Sequence, residues 1–196
     1  MKKLVVKTVA ITLSIVIGLM AIAFGIICWI SPNLIANAFN NLGSYSASKY
    51  FYEIQYEQTN EIDDLVVLLE HAYGNSNQDV EEYLAKIITH EKFNEYCNAK
   101  NTNLTAGQMR AEEYFSSYYA TILIANNKFG GAIKFSKSYV ATMGYTEYNP
   151  FRAIVNEKKG VLTANQLAGL KQELEGYLSL SGEQKTFVEQ DLNKLG

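Results

Sequence analysis

The chain has 196 residues, of which 48% are hydrophobic, so it is long enough for one membrane anchor and one domain with its own core. This apolar content excludes an intrinsically disordered protein. Of its 17 lysines and arginines, three precede the main apolar run, so 14 basic residues oppose 20 acidic ones after residue 30, a net charge of −6. Such an acidic surface excludes nucleic acid as an expected partner, because it does not attract phosphates.

The first element is a run of 23 residues without a charge, from residue 8 to residue 30. At about 1.5 Å per residue, a helix of this length crosses the roughly 30 Å hydrocarbon core of a bilayer. Lys2, Lys3 and Lys7 precede the run, and the next basic residue is Lys49, so the positive-inside rule places the N-terminus in the cytoplasm. Trp29 lies at the opposite end, where an indole favours the membrane interface.

These features predict a single-pass protein of a bacterial-type cell membrane. Residues 1–30 would form the cytoplasmic N-terminus and a signal-anchor helix that contacts the lipid bilayer, and residues 31–196 would form an extracellular domain. A cleaved signal peptide is the alternative, since the sequence AIA at residues 21–23 resembles a cleavage site. The apolar run continues well past that site, which favours retention as an anchor.

Two further features of the run permit other interpretations. Small residues recur every four positions, at Ala10, Ser14 and Gly18, so a homo-oligomer could form through close packing of the membrane helix. Such residues are also common in any membrane helix. Cys28 could be a lipidated cysteine, but it follows Ile27 rather than a small residue, which favours an ordinary apolar position.

After residue 31 the sequence predicts an all-α domain. Apolar residues recur at helical spacing within residues 62–73, 80–88, 167–178 and 187–195. The polar break at residues 74–77 predicts an antiparallel helix hairpin. Three helix starts have a hydroxyl followed three positions later by glutamine, the pattern of a capping box: Thr105 with Gln108, Thr163 with Gln166, and Ser181 with Gln184.

Two segments carry a resemblance to a helical repeat. In residues 43–56, a Gly-polar-aromatic turn precedes the small residue Ser48 and then Tyr52 and Tyr56. In residues 126–140, Phe129 follows a polar turn and Ala132 takes the small position. Both resemble the turn and second helix of a tetratricopeptide repeat, in which a small residue lets paired helices approach closely.

The resemblance implies an α-solenoid of antiparallel helix hairpins whose concave face holds a peptide or a partner protein. If Ser48, Tyr83 and Ala132 are taken as equivalent positions of three successive repeats, the first two are 35 residues apart and the last two are 49 apart. The repeats of the family are about 34 residues long. No binding residue of the family can be assigned to a position in this chain.

The residues that could carry chemistry form no recognised catalytic, cofactor or metal site. His71 and His90 are the only histidines and match no zinc-binding pattern. The pairs 63–64, 81–82 and 112–113 are acidic, and we expect them near helix starts or in solvent. Cys97 has no partner cysteine in the domain and is expected to be buried and unreactive.

The preferred function is therefore a membrane-anchored scaffold, or a subunit of a cell-envelope complex, that binds an unidentified protein partner and has no catalytic activity. Tyr114, Tyr118 and Tyr139 are the candidate exposed contacts, because tyrosine gives contact area at low entropic cost. The alternatives are a secreted binding protein after signal cleavage and a cell-wall hydrolase that uses Glu147 among aromatic residues. A buried Glu147 beside a groove would favour the hydrolase.

Overall fold

A computed structural model describes residues 2–105 and 107–196, with side chains from residue 11 onward. The described residues are helical, without strands, as the sequence predicts. The helices are α1 Lys2–Ile30, α2 Pro32–Asn41, α3 Tyr45–Thr59, α4 Ile62–Ala72, α5 Asn77–Thr89, α6 Phe93–Asn101, α7 Ala111–Ala125, α8 Phe129–Met143, α9 Pro150–Ala153, α10 Ala164–Glu175 and α11 Gly182–Leu195. Helix α9 continues into a π-helical turn, Ile154–Lys158, and a 3₁₀ turn, Lys159–Val161.

Helix α1 is long and apolar enough to cross a membrane, and it is the one such helix within the described residues. Its segment Ile11–Ile30 has a mean hydropathy of 2.6 and none of it is buried in the protein. The helix ends before Ser31, and Pro32 begins α2, where its fixed φ suits the first helical position. Trp29 is 75% exposed at this end. The side chains of Lys2, Lys3 and Lys7 lie outside the described residues.

The chain divides into two compact units, residues 1–71 and residues 72–196. In the first unit, α2 and α3 pack side by side across a turn at Gly43, whose φ of +72° favours glycine. Ser48 is fully buried, and its hydroxyl lies 2.7 Å from Nε2 of His71. Tyr52 donates a hydrogen bond to Oδ1 of Asn37. The position predicted to be small is thus a buried helix contact.

The second unit is built around α7, which packs against α5, α6, α8 and α9. Its core combines apolar side chains from α7 to α11: Ala120, Leu123, Ile124, Ala132, Ile133, Tyr139, Val140, Tyr145, Phe151, Ile154, Val155, Leu170, Leu174 and Val188. The small residue Ala132 is fully buried where α8 packs. The helical content is therefore established, while the solenoid arrangement stays a prediction.

The predicted helix start at Thr105 is wrong. Gln108 does accept a hydrogen bond from the Thr105 backbone N–H, but only a turn forms, because Gly107 has a φ of +84° that interrupts a helix. Helix α7 begins six positions later, at Ala111, whose N–H donates to Oδ1 of Asn101. A side chain distant in sequence therefore satisfies the start of α7.

The other two predicted starts are correct in position. Thr163 accepts a hydrogen bond from the N–H of Gln166, and the Gln166 side chain accepts from the N–H of Thr163, which completes a capping box. Ser181 precedes α11 but makes no side-chain capping bond. Its expected partner, Gln184, instead accepts from the backbone N–H of Tyr145 at 3.4 Å.

Candidate functional site

One face of helix α7 carries polar and aromatic side chains, of which Ser117 and Thr121 are buried. Tyr114, Ser117, Tyr118 and Thr121 recur at the three- and four-residue spacing that places side chains on one helical face. They form the floor of a cleft of about 310 Å³. We call this the tyrosine cleft, and its lining is Tyr73, Met109, Tyr114, Ser117, Tyr118, Thr121 and Glu157.

Three tyrosine rings lie next to one another in the cleft. The ring centroid of Tyr118 is 6.3 Å from that of Tyr73 and 6.2 Å from that of Tyr114, and the ring planes are tilted by 59° and 46°. Tyr73 is 69% exposed and Tyr114 is 52% exposed. Two large aromatic faces are thus open to solvent beside a third that is half-buried.

The walls of the cleft come from segments outside α7. Tyr73 follows α4 in the turn that contains Gly74, and Glu157 lies in the π-helical turn after α9. A π turn adds a residue to the helical repeat and so redirects the side chains that follow, and such turns are frequent at functional sites. Met109 belongs to the segment before α7.

Hydrogen bonds to Tyr148 hold both the segment before α7 and helix α7, which forms the floor of the cleft. The hydroxyl of Tyr148 donates to the carbonyl oxygen of Gly107 at 2.8 Å. Ser117 donates from its hydroxyl to the carbonyl oxygen of Tyr148 at 2.6 Å. Both hydrogen bonds involve Tyr148, so the loop that contains this residue fixes the segment before α7 as well as α7 itself.

The pKa of Tyr118 is raised to about 12, first by burial and then by the neighbouring Tyr73, Tyr114 and Glu157. All of these effects disfavour a phenolate, and no basic side chain opposes them. The Tyr118 hydroxyl therefore stays protonated to a higher pH than an ordinary tyrosine, and Glu157 is the acidic side chain that lines the cleft.

A second cavity, of about 590 Å³, lies where α6, α7 and α8 meet. Its lining includes Cys97, Arg110, Glu112, Ser116 and Tyr139. Cys97 is 3% exposed, and burial raises its pKa to about 12, with a smaller contribution from Glu112. The prediction of a buried cysteine is confirmed, and its thiol is not activated as a nucleophile.

The predicted exposure of Tyr139 is wrong. Its side chain is 9% exposed and belongs to the core of the second unit. Burial, followed by the nearby Glu113 and Glu112, raises its pKa. The buried residues of α8, Ala132, Ile133, Ser136, Tyr139 and Val140, follow helical spacing, which is the signal that places Tyr139 on the inner face.

A buried polar network joins α9 and α11 to the loop between α8 and α9. The Asp191 side chain is fully buried, and its Oδ2 accepts a hydrogen bond from the Tyr145 hydroxyl at 2.7 Å. Nε of Arg152 lies 3.6 Å from Oδ1, and the Arg152 guanidinium stacks over Phe187. The sequence pattern does not predict this network. Its one signal is the position of Asp191 at helical spacing among the apolar residues within 187–195, where a charged side chain is unusual.

The remaining polar candidates take ordinary positions. Acidic residues 63–64 and 112–113 lie in the first turns of α4 and α7, as predicted. Glu81 is the fifth residue of α5, near its start but beyond the first turn; it is partly buried and binds Lys128 and Asn126. Glu147 is exposed and lines neither cavity, so the buried carboxylate that would favour a hydrolase is not found there.

Neither histidine belongs to a metal cluster. His71 contacts Ser48 and the Tyr45 ring, and His90 directly follows the last residue of α5. No group of three potential metal ligands occurs within the described residues.

Comparisons of the chain with protein-family models, with curated proteins and with solved structures find no match.

Proposed function

We propose that this protein is a membrane-anchored scaffold that binds a protein partner at the outer face of a cell membrane. The observation that carries the proposal is helix α1, whose apolar segment Ile11–Ile30 has no part buried in the protein. An uncovered apolar surface of this length is costly in water and is matched by the thickness of a bilayer.

The proposed topology follows from charge. Three lysines precede the apolar segment, and Trp29 lies exposed at its far end, where an indole favours the interface. The N-terminus would then lie in the cytoplasm and the helices after Ser31 outside the cell.

The tyrosine cleft is the surface we assign to the partner. Tyr73 and Tyr114 expose large aromatic faces, and interfaces favour tyrosine because it gives contact area with few rotatable bonds. We retain Tyr114 and Tyr118 as partner contacts and leave out Tyr139, since its ring is buried. The cleft adds Tyr73, Met109 and Glu157 to the proposed surface.

The repeat-like arrangement of helices is part of this proposal. Ser48 and Ala132 are fully buried, which suits close crossings of paired helices. Stacked pairs would present an extended face on which a partner can lie.

The test is crosslinking in living cells, followed by recovery of the full chain and identification of attached proteins. The variant carries Leu19→Arg and Ile22→Arg, both at exposed positions in the middle of α1. Each arginine costs roughly 2.5 to 3.5 kcal/mol at the centre of a membrane helix, so the variant should leave the membrane fraction and lose its partner. Leu42→Arg, at a 79% exposed position after α2, is the matched control and should behave like the unaltered chain.

Recovery of one defined envelope protein by the chain and the control, but not by the α1 variant, supports the scaffold. Retention of the double-arginine variant in the membrane fraction would contradict the anchor. Recovery of wall glycan instead of a protein would contradict the scaffold and direct attention to hydrolysis.

A further inference from the structure

The tyrosine cleft has the composition of a cation-binding site. Organic cations are attracted to the faces of aromatic rings within about 6 Å of the ring centroid, because the π face is electron-rich. The ring centroid of Tyr118 lies 6.2 Å from that of Tyr114 and 6.3 Å from that of Tyr73, and its plane is tilted relative to both. At these separations the rings contact one another, so a cation would lie against their exposed faces rather than between them.

The cleft also supplies a negative charge. Glu157 lines it, is exposed, and forms no ion pair with any basic side chain in the described part of the chain. The pKa of Tyr118 is consistent with an excess of negative charge in the cleft, because Glu157 raises this pKa and no lysine or arginine lowers it. A cation entering the cleft would therefore meet a carboxylate as well as the rings.

The volume limits what can enter. A cleft of about 310 Å³ is at the lower end of the range for small-ligand sites, so it suits one side chain better than a large molecule. The chain after residue 30 has a net charge of −6, which attracts a basic partner over longer distances.

We propose that the tyrosine cleft binds a basic side chain, a lysine ammonium or an arginine guanidinium, that the protein partner presents. This inference rests on the proposed scaffold function and specifies the chemistry of its partner. The rings of Tyr73, Tyr114 and Tyr118 contact the cation and its alkyl stem, and Glu157 neutralises its charge.

A titration of the purified full chain in detergent tests the proposal directly. The probes are acetyl-arginine amide, acetyl-lysine amide and the uncharged acetyl-norleucine amide, with binding followed by the side-chain NMR signals of the cleft tyrosines. We expect millimolar binding of at least one basic probe, about tenfold tighter than that of the norleucine probe.

Four variants locate the site. Glu157→Gln should weaken binding of the basic probes about fivefold, and Tyr114→Leu should weaken it to a similar extent. Tyr114→Phe keeps the aromatic face and should retain the affinity. Tyr50→Leu is the matched control, because Tyr50 is 59% exposed on α3 and does not line the cleft. The altered side chains in the cleft are exposed, so helicity measured by circular dichroism should be unchanged.

Equal binding of the norleucine and basic probes would overturn the proposal, and so would unchanged affinity in Glu157→Gln and Tyr114→Leu. Tighter binding of choline than of both basic probes would overturn it as well, and would assign the cleft to a quaternary ammonium ligand instead.

Crosslinking in cells separates this inference from the scaffold function. If the unaltered chain and Glu157→Gln recover the same partner equally well, the scaffold stands and the basic side chain is rejected. If the unaltered chain recovers no partner, the scaffold fails, whereas the titration still decides whether the cleft prefers cations.

Discussion

Asp191 places a carboxylate in the core of the second unit without a full set of hydrogen bonds. Oδ2 accepts from the Tyr145 hydroxyl, but Oδ1 has only distant ion-pair contacts, 3.6 Å from Arg152 and 3.9 Å from Lys194. Burial is the largest influence and raises the pKa of Asp191 above 3.8, although Tyr145, Arg152 and Lys194 act in the opposite direction. The ionised carboxylate is thus less favourable in the folded chain than in the unfolded one.

This raised pKa predicts a pH dependence of stability. A raised pKa in the folded state contributes stability that is full below pH 3.8 and is lost as the pH rises through the folded pKa. Asp191→Asn keeps an oxygen for the Tyr145 hydroxyl but does not titrate. Urea unfolding from pH 3.5 to pH 7 should therefore show the unaltered chain losing stability relative to the variant, by about 1.4 kcal/mol for each pH unit that separates the folded pKa from the unfolded one. The raised pKa would be contradicted if the difference in stability between the two chains did not change with pH. It would also be contradicted if the unaltered chain gained stability relative to the variant as the pH rose.

Cys97 allows a second prediction at this scale. With a pKa of about 12, its thiolate is about 10³-fold rarer at pH 8 than that of an ordinary cysteine, and the sulfur is also buried. In a Cys28→Ser background, alkylation by iodoacetamide should be at least about 100-fold slower in the folded chain than in urea. Rapid labelling of the folded chain would show that the second cavity opens.

At the scale of elements, α10 and α11 provide a matched pair of helix starts. Thr163 makes a capping bond to Gln166, whereas Ser181 makes none. Thr163→Ala should lower the free energy of unfolding by about 1 kcal/mol, while Ser181→Ala should change it by less than about 0.3 kcal/mol. Chemical unfolding measures both, and hydrogen exchange in the first turn of α10 should rise only in the Thr163 variant. Equal losses would contradict the observed capping.

Much of the helical content could be predicted, because apolar periodicity and capping residues act over a few positions. The helix start at Thr105 could not be judged correctly from local pattern. Its capping bond forms, but Gly107 interrupts the helix and Asn101 satisfies the start of α7 from ten positions away. The π turn at Ile154–Lys158 likewise has no local pattern that predicts it.

The candidate site was predictable only where it lies on one helix. Tyr114 and Tyr118 are four positions apart, so the sequence places them on the same face of α7. Tyr73 continues the apolar stripe within residues 62–73, so the pattern does not mark it as exposed. Helix α4 ends at Ala72, however, and the tyrosine projects from a turn into solvent. Glu157 comes from a distant segment, so only the fold brings it to the cleft.

At the scale of the whole molecule, the proposed topology depends on a few charges near α1. Positive residues within about 15 to 20 positions of a membrane-spanning segment favour the cytoplasmic side, and here all of them but Lys49 precede the apolar segment. The acidic helical region would then face outward, where the tyrosine cleft could meet a basic partner.

Reversing this charge asymmetry should invert the orientation of the chain in the membrane, so that its C-terminal helices lie in the cytoplasm. The test variant replaces Lys2, Lys3 and Lys7 with glutamine and carries Asn40→Lys and Asn41→Lys, at two exposed positions of α2. A C-terminal epitope should be digested by protease added to intact spheroplasts of the unaltered strain, and protected in about half or more of the variant molecules. Asn40→Lys with Asn41→Lys alone is the control and should stay largely accessible. Protection of the epitope in the unaltered chain would contradict the outward orientation, because the C-terminal helices would then lie in the cytoplasm.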